Sequence, residues 1–100
     1  MLHATYYKGR LCDSNLSYEF IPKEETRFPL KKTGNEIKEN GHPLDILTEF
    51  VLVLRVQGIS VSIYPSGKIL VKNVPIETEA QTIFLATLKL LNECPSTLKI

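Results

Sequence analysis

Apolar and polar side chains alternate from the first residues. Leu2, Ala4 and Tyr6 interleave with His3, Thr5 and Tyr7, and a second extended run from Leu16 to Ile21 stops at Pro22. Asp13-Ser14-Asn15 lies between them, and such short polar side chains bond their own backbone in turns, so a hairpin is predicted. From Pro22 to His42 the pattern fades. Pro22, Pro29, Gly34 and Gly41 punctuate this stretch, and Lys31 to Gly41 is almost wholly polar. A polar loop is predicted at about residues 31–42, with Phe28-Pro29-Leu30 as a short strand ahead of it. A loop this long inside a compact domain is usually functional or mobile.

The segment from Pro43 to Gln57 carries two signals. Pro43 suits a first helical turn, Asp45 suits the positive end of a helix, and Gly58 suits a left-handed stop. Leu44, Leu47, Val51 and Leu54 share one helical face. Val51 to Val56 also has strand composition, and a continuous apolar run fits either element. Length and the two termini favour a helix.

A second hairpin is clearer. Ile59, Val61 and Ile63 alternate with Ser60, Ser62 and Tyr64; Pro65-Ser66-Gly67 follows, then Lys68 to Asn73. A three-residue loop needs a type I turn and then a left-handed residue, which Pro65 and Gly67 supply. That register pairs Ile63 with Ile69 and Val61 with Val71, collecting the aliphatic residues on one face. Ser60, Ser62, Tyr64, Lys68, Leu70 and Lys72 take the other. Thr78-Glu79-Ala80-Gln81 reads as a capping box with Thr78 as N-cap. Ala80, Ile83, Phe84, Leu88 and Leu91 then form a helical stripe that Pro95 ends. The predicted class is α+β: a single antiparallel sheet of about 4–5 strands with two helices packed on one face.

One hundred residues make one domain, and 43% apolar content with a net charge of +1 excludes a disordered chain. Twelve basic against eleven acidic side chains also exclude polybasic wrapping of nucleic acid. Two cysteines, Cys12 and Cys94, are sparse for a disulfide scaffold, so a reducing, cytoplasmic setting is expected. A bridge between them would close a long loop. The N-terminus has no signal-peptide pattern, and Phe50 to Leu54 is far shorter than the roughly 20 residues of a membrane helix, so no membrane partner is expected.

Candidate chemistry is thin. His3, His42, Cys12 and Cys94 lie in no recognisable catalytic or metal motif, and Gly67-Lys68 has no phosphate-loop spacing. Cys94 reads as a packed thiol at a helix end and His42 as an exposed loop residue. No catalytic residue, metal or cofactor is predicted. Between Phe50 and Ile76, however, no acid occurs, while Arg55, Lys68 and Lys72 do. A sheet face of Tyr64, Lys68, Leu70, Lys72 and Ser62 is either an ordinary solvated surface or a binding face. It suits a protein partner through Tyr64 and Leu70, or nucleic acid through cation and stacking contacts.

Ser62-Ile63-Tyr64-Pro65-Ser66-Gly67-Lys68-Ile69-Leu70-Val71, followed by the helix from Thr78 to Leu91, resembles the end of one repeat of the TATA-box-binding protein. There an aromatic-x-Ser-Gly-Lys hairpin precedes a helix that packs on the convex side of a curved sheet. The segment is similar, too, to hairpin-helix units in the substrate-binding domain at the head of a class of ribonuclease H enzymes. The resemblance implies that Tyr64 occupies the place of a base-wedging aromatic, with Leu70 and Lys72 on a concave nucleic-acid face. It covers only the last third of the chain. Phe28-Pro29-Leu30 stands much farther before Tyr64 than the family's other aromatic-Pro segment would, Lys72 replaces a small residue, and one repeat is present where the family uses two. The sequence therefore points first to a small non-enzymatic module that binds a protein partner or a second copy of itself. A nucleic-acid-binding domain comes second, and a small enzyme using Cys or His third.

Overall fold

In chain order the elements are β1 (Tyr7–Cys12), β2 (Ser17–Pro22), α1 (Leu30–Glu39), β3 (Leu44–Leu47), β4 (Leu52–Val56), β5 (Ile59–Ile63), β6 (Ile69–Val71) and α2 (Glu77–Asn92). Short 3-10 turns lie at Ala4–Tyr6 and Pro95–Thr97. They are seen in a computed structural model that describes residues 1–12, 16–98 and 100. The strands form one antiparallel sheet in the order β1-β2-β6-β5-β4-β3. Every pairing joins chain neighbours except β2 with β6, where Tyr18, Glu19 and Phe20 meet Val71, Leu70 and Ile69.

The β5–β6 hairpin has the register expected from its alternation, with Val61 opposite Val71 and Ile63 opposite Ile69. Gly67 adopts φ +86° and its N–H donates to the Tyr64 carbonyl at 2.8 Å. A side chain there would also press on Pro22 and Thr26. The β4–β5 turn is tighter: Gln57 and Gly58 both have positive φ between the paired Val56 and Ile59, as a two-residue hairpin loop requires.

Both helices cover the same side of the sheet. The core unites Leu30 and Ile37 of α1, Leu52, Leu54, Val61, Ile63, Ile69 and Val71 of the sheet, and Phe84, Leu88 and Leu91 of α2. Phe20 stacks on Phe84 with ring centroids 4.0 Å apart, and Tyr7 meets Phe84 edge-on at 5.1 Å. Gly9 lies opposite Phe20, and a Cβ at Gly9 would come within 2.9 Å of that ring. The architecture is the expected α+β class, with six strands where about 4–5 were expected.

Four local expectations are corrected. Residues 43–57 are not a helix but β3, a turn and β4. The Thr48 hydroxyl accepts the N–H groups of Phe50 and Val51 at 3.0 and 3.1 Å, reversing the chain where a helix would continue. Leu52, Val53, Leu54 and Val56 after it are buried in the sheet. The predicted polar loop at 31–42 is mostly α1, which buries Leu30, Thr33, Gly34 and Ile37. Spacing of 3, 4 and 7 residues from Leu30 is a helical stripe, though only two of its members are aliphatic. Phe28-Pro29-Leu30 is accordingly no strand: Phe28 donates its N–H to the Pro65 carbonyl at 2.7 Å, and Leu30 opens α1. Thr78 is not the N-cap of α2. Ile76 holds that position without a side-chain cap, and Thr78 sits in the first turn.

The N-terminal hairpin exists, but its first strand is later than predicted, because Ala4–Tyr6 is a 3-10 turn. The predicted turn at Asp13-Ser14-Asn15 falls outside the described residues.

Candidate functional site

Side chains on a strand alternate between faces, so the residues that skip the core define the opposite, helix-free face of the sheet. Its middle row runs across all six strands as Arg10, Glu19, Leu70, Ser62, Val53 and Ile46. Tyr64 and Lys68 flank one side of this row, at the ends of the β5–β6 loop. Ser60 opposite Arg55, with Lys72 donating its N–H to the Ser60 carbonyl, flanks the other. The five residues singled out from the sequence, Tyr64, Lys68, Leu70, Lys72 and Ser62, are therefore together on this face.

The residues differ in accessibility. Tyr64, Lys68, Leu70 and Lys72 are half-buried, whereas Ser62 is 1% exposed. The Ser62 hydroxyl has no hydrogen-bond partner among the described residues. Lys68 Nζ lies 4.7 Å from the Tyr64 ring centroid, so one side of the aromatic already carries a cation. The same ammonium is 3.7 Å from Glu19 Oε2, and the other Glu19 oxygen takes the Arg10 guanidinium. Glu19 is itself a buried residue, which makes this two-sided pairing necessary for an ionised carboxylate.

These partners alter the charge expected from the sequence. The acid-free stretch from Phe50 to Ile76 receives acids from other strands: Glu19 of β2 beside Lys68, and Asp45 of β3 at 3.4 Å from Arg55. Lys8, Arg10, Arg55, Lys68 and Lys72 face Glu19 and Asp45 on this surface, leaving a net excess of cations. Lys8 and Lys72 form no ion pair among the described residues. Local reading missed Arg10, Glu19, Val53 and Ile46 as members of the face. Alternation of Ser17, Glu19 and Ile21 against Tyr18 and Phe20 carries part of the signal, but the pairing of β2 with β6 has no local trace.

The nucleophile and base candidates do not add a reaction centre to this face. Cys94 is fully buried behind α2, with its thiol 3.7 Å from the Leu90 carbonyl. Burial, reinforced by Glu36 and Glu93, pushes that thiol up to about 11, away from a reactive thiolate. Cys12 and Cys94 are not bridged to each other. His42 is exposed beyond α1, and His3 packs edge-on against Tyr6. Among the described residues, no cluster of three or more His, Cys, Asp or Glu side chains is arranged to hold a metal ion, and no helix is long and apolar enough to cross a membrane. Compared with protein-family models, curated proteins and solved structures, the chain matches none.

Proposed function

We propose that this chain is a non-enzymatic binding module that engages a macromolecular partner across the helix-free face of its sheet. One observation carries the reading: both helices lie on one side, while the other carries half-buried Leu70 and exposed Ile46, with Val53 buried between them, in a row bordered by cations. An apolar centre with a charged rim is the usual anatomy of a protein interface. Tyr64, Lys68, Leu70 and Lys72 are its central contacts, with Ser62 buried beneath them. Two copies docked face to face would oppose like charges, which favours a different, acidic protein. The sparse cysteines support a cytoplasmic setting for the encounter.

Affinity capture with the native chain, Leu70→Glu and Leu85→Glu tests this. Leu85 is an exposed residue on the outer side of α2. The expected result is a partner held by the native chain and by Leu85→Glu and lost from Leu70→Glu. Equal recovery with all three chains, or none with any, overturns the proposal.

A nucleic-acid partner is the second reading, favoured by the cation excess and by a TATA-box-binding-protein-like repeat as the origin of the hairpin and α2. It is tested by titrating labelled single- and double-stranded DNA and RNA at two salt concentrations. Binding that weakens with salt and is lost in Lys68→Glu with Lys72→Glu supports it, and salt-insensitive or absent binding removes it.

A further inference from the structure

The two edges of the sheet are built differently. At one edge β3 has four residues and a register shift between Leu44 and Ile46, and its Leu47 packs against Gly34 of α1. Short length, a bulge and a covering helix are the ways proteins close an edge. At the other edge β1 has six residues in unbroken register with β2, without a bulge or a proline. Among the described residues, β1 is the edge strand of the sheet on this side.

Side chains along β1 sort by face. Lys8 and Arg10 project on the helix-free side, both exposed. Gly9 and Leu11 project on the helix side, where Leu11 is 42% exposed. Beside Gly9 lies a cavity of about 130 Å³, bounded by Tyr18, Phe20 and Phe84 with Glu77 and Gln81 of α2. Gly9 borders this space, and the Phe20 ring takes the place that a side chain there would fill.

We propose that the outer edge of β1 accepts an extended segment of another protein as an added strand, in which acidic side chains alternate with short apolar ones. Backbone hydrogen bonds to β1 supply the affinity, and the two faces supply the selection. Acidic side chains on one face complement Lys8 and the exposed Arg10. Short apolar ones on the other lie over the exposed Leu11. The same cations oppose a second copy of β1, whose Lys8 and Arg10 would stand against them. The edge shares Lys8 and Arg10 with the sheet face proposed above but not its Leu70, so Leu70→Glu, which should leave peptide binding intact, tells the two apart.

The probe is a fluorescein-labelled octapeptide of alternating glutamate and valine, followed by fluorescence anisotropy with the full chain. Two control peptides carry lysine in place of glutamate, or methyl groups on every backbone amide. The acidic peptide is expected to bind saturably and both controls to fail. Lys8→Glu is expected to weaken binding about tenfold, with Lys32→Glu, an exposed position on α1 beside the opposite edge strand, binding as the native chain does. No binding at millimolar peptide, equal binding of either control, or an equal loss in Lys32→Glu overturns the proposal. Sedimentation of the free chain as a dimer that Lys8→Glu alters also overturns it, since a second copy would then occupy the edge.

Discussion

Ser62 is the least comfortable residue of the candidate face. Its hydroxyl is buried without a partner, flanked across the strands by Leu70 and Val53. A buried group that gives up its water bonds and gains none in return is destabilising. Ser62→Ala is therefore expected to raise stability by about 1 kcal/mol, read as a higher urea midpoint at unchanged slope. A lower midpoint would show that the hydroxyl is satisfied. Placement of Ser62 with Tyr64, Lys68, Leu70 and Lys72 was legible in the sequence, because strand alternation and a three-residue loop settle which side chains share a face. Glu19 was not. Its neutralising role follows from β2 lying next to β6, a pairing between distant parts of the chain that no local period encodes.

At the scale of elements, the strongest signals were the β5–β6 hairpin and α2, each long or sharply patterned enough to override alternatives. The misread elements share a physical cause: side chains whose structural work is not hydrophobic. Gly34 looks like a breaker, yet in α1 its missing side chain admits Leu47, since a Cβ there would lie 2.5 Å from Leu47 Cδ1. Thr33 is buried in the same stripe and shares a 2.6 Å hydrogen bond with the Ser96 hydroxyl. Thr48 in turn splits one apolar run into two strands by accepting two backbone N–H groups. Thr48→Ala leaves those donors to water and is expected to cost about 1 kcal/mol, measured by chemical denaturation. An unchanged midpoint would mean that strand pairing alone sets the turn.

For the molecule as a whole, Tyr7 links stability to pH. Burial against the core pushes its phenol from the ordinary value near 10 up to about 12. Below pH 10 the group is neutral in both folded and unfolded chains, so its contribution is constant. As pH rises toward 12 the unfolded chain loses that proton first, so the folded state loses stability across this window. Tyr7→Phe has no such proton. The gap between the two urea midpoints should be flat below pH 10 and shift against the native chain above it, whereas a gap that never moves would place the phenol in water. A different property follows from the one strand pairing that is not between chain neighbours. The sheet is two locally wound pieces, a hairpin and a four-strand meander, joined by the short ladder of Tyr18, Glu19 and Phe20 with Val71, Leu70 and Ile69. Closing that seam brings together residues separated by half the chain, so its entropy is the largest single cost of sheet assembly and the step at which folding commits. Opening it releases β1 and β2 without undoing any other strand pair. Because Tyr7 and Phe20 pack on Phe84, exchange of this hairpin between two crowded copies would carry both rings across, and a swapped dimer would have to re-form those contacts in the other copy.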